Sequence, residues 1–438
     1  MTDKDLIDKN RTETTQTINM EDRKIRVAIT HGDTNGIGYE LIFKAFSEPE
    51  MLELCTPIIY GSPKIAAYHR KAMDLQANFS IINNATDAQD GRVNMLTCFD
   101  GEVKVELGTP TKESGDAALK ALDKAMTDFR SQHFDVLVTC PAYAQTMNAE
   151  NYSYKGLKSY AETSIGEGAK GVKMMINESV RIALATDGLA IKDIAANITI
   201  DNILDKVRKL HNSMKRDFRI SNPRIAVLAL NPNVNGTEEK EVLIPAIRKA
   251  EEEGINAYGP YPAEEFFGQN MCDAFDVTLA MYDDQGMIPF TTLMQNDGIF
   301  YITSLPLVCT APALTPDFEN AGKGIADENA LRHAIYTATD IIRNRAEYDE
   351  PLDNPLPKLY HEKRDESEKV RFSIPKKREN PRNDHRQPAQ HNAQRFNGQA
   401  NPAKDNAANA PANATAANAP AKEPAASAPA KENVANEQ

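Results

Sequence analysis

The chain has 438 residues and a formal net charge of −13, with 50 basic against 63 acidic side chains. Binding a phosphate backbone needs a local excess of Lys and Arg, so nucleic acid is not the expected partner. No apolar run reaches the roughly 18 residues that a membrane span requires, so no membrane association is expected either.

Met1 to Asp22 is polar, has no apolar stretch of the secretory kind, and reads as a flexible N-terminal arm. The five cysteines, Cys55, Cys98, Cys140, Cys272 and Cys309, are scattered singly with no CxxC pair. Isolated thiols of this kind point to a reducing cytoplasm rather than a disulfide framework. From Arg23 to Glu347 the chain alternates β-branched apolar runs with amphipathic stretches. Such a length exceeds what one core usually serves, so two lobes are expected. From Tyr348 to Gln438 it becomes charged and then rich in Ala, Asn and Pro, with near-repeats such as ANAPA and APAKE. This tail carries too little apolar area to offset ordering entropy and is expected to be disordered.

In chain order, the first predicted strand is Ile25–Thr30, followed by a Gly-rich turn. Further strands are predicted at Val136–Thr139, Lys173–Ile176 and Ile225–Leu230. Each is a continuous apolar run, which suits a sheet covered on both faces. Between and after them, helical spacing covers Asp116–Arg130, Ile203–Phe218, Glu239–Glu253 and Asn329–Arg343. This alternation predicts an α/β architecture.

The first strand runs into Thr30-His31-Gly32-Asp33-Thr34-Asn35-Gly36-Ile37-Gly38. Glycines at a strand-to-helix turn let backbone amides approach an anion. No Gly-Lys-Ser/Thr follows, and the glycine order is GxxxGxG rather than the dinucleotide-binding GxGxxG. From its glycines alone, the turn is at least as well read as a structural one.

The same turn resembles the T-P-G-D-P-A-G-I-G-P-E-L opening of the 4-hydroxythreonine-4-phosphate dehydrogenase family. The resemblance continues in order through Val138-Thr139-Cys140-Pro141, Arg181 to Thr186, Leu230-Asn231-Pro232, Leu279 to Tyr282, Asp284-Gln285-Gly286 and Ala321-Gly322-Lys323-Gly324. It implies the two-lobed fold of the isocitrate and isopropylmalate dehydrogenases, with the site in the cleft between lobes. It also implies a homodimer whose interface completes each site. The activity it implies is NAD-dependent oxidation and decarboxylation of 4-phosphohydroxy-L-threonine, in pyridoxal phosphate synthesis, with a divalent metal stabilising the developing charge.

Residue by residue, the family's three metal-binding histidines fall on Leu157, His211 and Asp283. Leucine cannot ligate, and aspartate is shorter, harder and anionic. The positions implied for binding the phosphorylated substrate are Tyr143, Thr291 and Cys309, where the family has histidine or asparagine, lysine and arginine in turn; the lysine that follows the first of these is Ala144, and the asparagine on the next strand is Phe300. Cys309 has no histidine near it in sequence and is expected to be a buried structural thiol. For the cofactor, Asn231, Gly322 and Lys323 match family positions, but Ala313-Leu314-Thr315-Pro316 replaces D-H-G-T. Glu264 and Asp284 are the carboxylates left to act as acid or base; their plainer reading is a loop acid and a helix-capping acid. Strands and glycine turns match while metal, phosphate and cofactor positions do not, so binding of both NAD and metal is placed in doubt. Two functions compete: a non-catalytic homologue with a dismantled site, or an active dehydrogenase with altered metal or substrate. A small phosphorylated molecule is a candidate ligand in either case.

Overall fold

The structure, a computed structural model, describes residues 23–353 apart from 100–102, 150, 151, 154 and 167. The expected arm over 1–22 and the residues beyond 353 lie outside the described residues, whereas residues 348–353, expected as the start of the disordered tail, continue the last helix.

The strands are β1 (Ile25–Thr30), β2 (Cys55–Gly61), β3 (Ser80–Ile82), β4 (Asn94–Thr97), β5 (Val136–Thr139), the small pair β6 (Asn148–Ala149) and β7 (Tyr152–Ser153), β8 (Val172–Ile176), β9 (Arg181–Leu184), β10 (Arg224–Leu228), β11 (Asn256–Tyr261), β12 (Val277–Ala280), β13 (Ile299–Thr303) and β14 (Val308–Pro312). Twelve of them form one sheet in the order β11-β10-β12-β9-β8-β13-β14-β5-β1-β2-β4-β3. On one side β14, β5, β1, β2, β4 and β3 are mutually parallel. On the other, β9, β12, β10 and β11 are mutually parallel. Antiparallel β8 and β13 join the two blocks, which therefore point in opposite directions. These blocks are the two lobes of the α/β body.

The helices that matter for the site are α1 (Gly38–Ala45), α2 (Lys112–Arg130), α3 (Leu157–Ile165), α4 (Ile200–Arg216), α5 (Ala263–Gly268), α6 (Asp283–Leu293) and α7 (Asn329–Asp353). One face of the sheet is covered without a break: Val27, Val138, Met174, Val227, Leu279 and Tyr301 share a single core with side chains of α1, α4 and α7. The opposite face is covered twice. Beneath α2, Ala28, Leu137 and Cys309 pack on Leu122 and Met126. Beneath α5 and α6, Met175, Ile182 and Leu184 pack on Phe266 and Phe290. Between these two cores the face over β8 and β13 is left as a cleft.

Helix α2 begins four residues before the predicted Asp116, because the Thr111 side chain caps the amide of Ser114 at 3.2 Å. The predicted helix over Glu239–Glu253 opens with a π turn at Glu239–Leu243 and continues as α-helix over Ile244–Glu252. Helix α7 runs ten residues past the predicted Arg343. Ion pairs from Arg216 to Asp349 and from Arg219 to Glu347 hold the extension to the end of α4.

At the start of the Gly-rich turn, His31 is fully buried and stacks on Tyr39 at 5.2 Å between ring centroids, and His69 lies against the same ring at 5.1 Å. Burial pushes His31 down to about 3 and lowers His69 as well. Unfolded histidine protonates near 6.5, so below that pH the unfolded chain takes up protons that the folded chain refuses. Each histidine should then cost about 1.4 kcal/mol of stability per pH unit as pH falls from 6.5 toward its folded value. Urea midpoints at pH 7.5 and 5.0 should show a drop that is smaller in His31→Phe; a midpoint independent of pH over this interval contradicts the assignment.

Candidate functional site

The Gly-rich turn is part of the frame rather than a binding loop. Residues 31–37 are all buried. The Asp33 amide donates to the Pro141 carbonyl at 2.9 Å, and its carboxylate accepts from the Asn35 amide at 2.9 Å and the Ser114 hydroxyl at 3.0 Å. Gly32 has φ +72°, and a Cβ there would lie 2.2 Å from the Pro141 carbonyl oxygen. Glycine is therefore required at that position by close backbone approach.

The cleft between the lobes has a volume of about 270 Å³. Its floor is the C-terminal end of β5 with Phe300 and Ile302 of β13, and Ala118 and Leu122 of α2 form an apolar wall. Leu157, the first residue of α3, lines it and packs against the core under α2. Next to it stand Lys155 and Lys158, and Lys173 rises from β8. The ammonium groups of Lys158 and Lys173 each lie 3.7 Å from Asp187. The Lys173 ammonium also sits over the Phe300 ring, 5.0 Å from its centroid. Ala142 and Ala144 occupy the loop after β5, while Tyr143 makes an edge-to-face contact with Phe318 at 5.7 Å and does not line the cleft.

The three positions matching metal ligands do not form a ligand set. Leu157 offers no donor. Asp283 begins α6, and its carboxylate accepts from the Gly188 amide at 2.8 Å. His211 sits half-buried on α4, its pKa lowered by burial and by Lys215, and lines none of the cavities described here. Among the described residues no group of three or more His, Cys, Asp or Glu side chains is arranged to hold a metal ion. The residues present in one chain thus do not fit the divalent ion implied by the sequence.

A second cavity, about 630 Å³, brings together Asn231, Glu264 and Asp284 at its rim, with Phe267, Tyr282 and Ile288 as apolar lining. Both carboxylates are exposed, but Glu264 stands in the first turn of α5 rather than on a loop, and Asp284 stands in the first turn of α6, whose start has no side-chain cap. The Asn231 side chain is already engaged: its amide donates to Glu238 at 3.1 Å and to Glu239 at 3.0 Å. Thr291, on the exposed side of α6, returns its hydroxyl to the Met287 carbonyl at 2.8 Å. Cys309 lies wholly in the core under α2, and burial pushes its thiol up to about 12, which makes it inert.

Gly322 and Lys323 fall on the loop between β14 and α7. Gly322 has φ +78° and faces Leu107, and exposed Lys323 reaches Asn320 at 3.4 Å. Beside this loop is a hollow of about 250 Å³ lined by Asp317 and Asp327 and by no cation. Two carboxylates repel a pyrophosphate. These residues do not fit a dinucleotide held on this loop. The structure separates the three predicted cofactor residues, with Asn231 at the second cavity and the other two on the loop.

Lys155, Lys158, Lys173 and Asp187 were not singled out from sequence. One signal was available: Lys173 is the charged residue within an otherwise apolar, buried strand, where a cation needs a reason to stand.

The sequence model of the family described as pyridoxal phosphate biosynthetic protein PdxA matches residues 53–338. The chain is 48% identical over 358 residues to the 4-hydroxythreonine-4-phosphate dehydrogenase of Bacteroides thetaiotaomicron, covering 81% of this chain and 98% of that protein. It is 31% identical over 328 residues to the enzyme of the same name from Sulfurihydrogenibium, covering 73% and 99%. Among solved structures, the 4-hydroxythreonine-4-phosphate dehydrogenase of Klebsiella pneumoniae superposes with a TM-score of 0.62 at 22% identity, covering 73% of this chain and 98% of that one. That of Burkholderia phymatum gives 0.59 at 24% identity, covering 73% and 99%.

Proposed function

The chain belongs to the pyridoxal phosphate biosynthetic protein PdxA family, and from that premise we propose that it keeps the family fold but not the family reaction. In this reading it does not carry out the NAD- and metal-dependent oxidation and decarboxylation of 4-phosphohydroxy-L-threonine; it is a cytoplasmic homodimer whose cleft binds a small anionic molecule. The observation that carries it is the surroundings of Leu157. An apolar side chain occupies the first ligand position, and the ammonium groups of Lys158 and Lys173 stand in the same cleft. Two fixed cations repel a divalent ion in a partly dry cleft, so that space is unfavourable to metal for two separate reasons. Exposed Ile288 and Leu293 on α6 supply apolar surface for a second copy.

The competing reading is an active dehydrogenase with altered metal or substrate. It draws on the 48% identity to a protein named as the enzyme, and on Glu264 and Asp284 facing one cavity. Metal content separates the two. After purification without added metal, elemental analysis should find no stoichiometric divalent ion. Stoichiometric zinc that disappears in His211→Ala would overturn the proposal, because it would show a ligand set completed in a way that a single chain does not reveal.

A further inference from the structure

We infer that Lys155, Lys158 and Lys173, which line one cleft together with Asp187, form a metal-independent site for a small organic dianion, a phosphate monoester or a dicarboxylate. The inference rests on the reading above that the cleft holds no divalent ion, and it names the ligand class of that same site.

The charges argue first. The lining of the cleft carries three lysines against one acid, Asp187. This surplus of positive charge occurs in a chain whose net charge is −13. Glu162 lies 3.7 Å from Lys158 but does not line the cleft, and one of its oxygens already accepts from the Gly171 amide at 2.8 Å. Lys155 has no acidic partner among the described residues.

Geometry adds the second argument. Lys158, Lys173 and Asp187 keep only 22%, 23% and 22% of their side-chain surface exposed, so a ligand there meets the ammonium groups largely out of water. Both contacts to Asp187, at 3.7 Å, are longer than a hydrogen bond. Neither ammonium group spends a hydrogen bond on Asp187, so both keep donors for a ligand. Phe300 fixes the Lys173 head by the attraction of its ring face for a cation. The apolar wall of Ala118 and Leu122 suits a short carbon chain between or beside the anionic ends. The volume, about 270 Å³, admits a metabolite and excludes a dinucleotide.

The test is calorimetric titration of the full-length protein in EDTA with glycerol 3-phosphate, succinate and, as a monoanion control, acetate. Saturable binding of glycerol 3-phosphate or succinate, at least tenfold tighter than acetate and weakened by added salt, is the expected result. The two dianions tell phosphate from dicarboxylate. Lys158→Gln and Lys173→Gln should each weaken the tighter dianion by about tenfold or more, the usual size of a lost charge-assisted hydrogen bond. Lys155→Gln, at an exposed position without a partner to disturb, should weaken it by a smaller factor. Asp187→Asn should tighten it, an effect that damage to the fold would not produce. No saturable dianion binding up to 10 mM (roughly the weakest affinity of interest), or binding unchanged in all three lysine variants, overturns the site. If dianions fail to bind and zinc is also absent, only this inference falls; if zinc binds stoichiometrically, the parent reading falls.

Discussion

Purified protein supplied with NAD, 4-phosphohydroxy-L-threonine and zinc or magnesium should form NADH at least about 10⁴-fold more slowly than the Bacteroides thetaiotaomicron enzyme. The expectation rests on departures from the family pattern at two separate places. The metal positions carry Leu157 and Asp283, the latter bound to the Gly188 amide. The phosphate-binding positions carry Tyr143, turned onto Phe318, the hydroxyl of Thr291, bound to its own helix, and the core thiol of Cys309. Losing even an outer partner of a metal ligand costs about 10–100-fold, and a lost ligand costs more. A hundredfold for each place, about 2.7 kcal/mol apiece, compounds to the stated factor if the two act separately. Loss of the cofactor contacts on the β14–α7 loop would add to it. A rate within a hundredfold of the relative's contradicts the account.

Replacing Arg345 by alanine should destabilise the fold by about 3–5 kcal/mol, the usual cost of leaving a buried charge without its partner. Arg345 on α7 is 5% exposed and Asp217, just beyond α4, 3%. The guanidinium donates to Asp217 at 2.7 Å, to the Leu305 and Pro306 carbonyls at 3.0 and 3.1 Å, and to the Tyr301 hydroxyl at 2.9 Å. Asp217 also accepts from Ser213 at 2.6 Å and Tyr301 at 2.7 Å. Burial alone would push its carboxyl up, but Arg345 and these donors outweigh burial and hold it below the usual carboxylate range. The network ties α4, α7 and β13 together behind the cleft. Urea unfolding should show the loss as a lower midpoint at unchanged slope, partly recovered by adding Asp217→Asn, which removes the stranded charge. A loss under about 1 kcal/mol contradicts the assignment.

The parallel strands at the centre of each lobe were legible because β1, β5 and β10 are continuous apolar runs, as strands buried on both faces must be. The antiparallel seam was not. Lys173–Ile176 was visible as a strand, but its partner β13 lies more than a hundred residues later, and no hairpin turn marks the pairing. The early start of α2 was missed because Gly115 argues against a helix; a Cβ there would lie 2.2 Å from the Thr146 carbonyl oxygen, so packing overrides propensity. Of the positions that the family pattern marked, Leu157 lines the cleft, whereas Asp283 and Cys309 lie away from it. The pattern could not locate the lysine cluster. Lys158, Lys173 and Asp187 come from α3, β8 and the turn after β9, and only folding brings their charges within 4 Å.

The most direct measurement of whether this chain has left the family reaction is growth of a pyridoxine-requiring strain that lacks the authentic enzyme and expresses this protein. The account predicts no growth without added vitamin, with the protein present and folded and with growth restored by the Bacteroides thetaiotaomicron relative. Growth without vitamin that is lost in His211→Ala would contradict it.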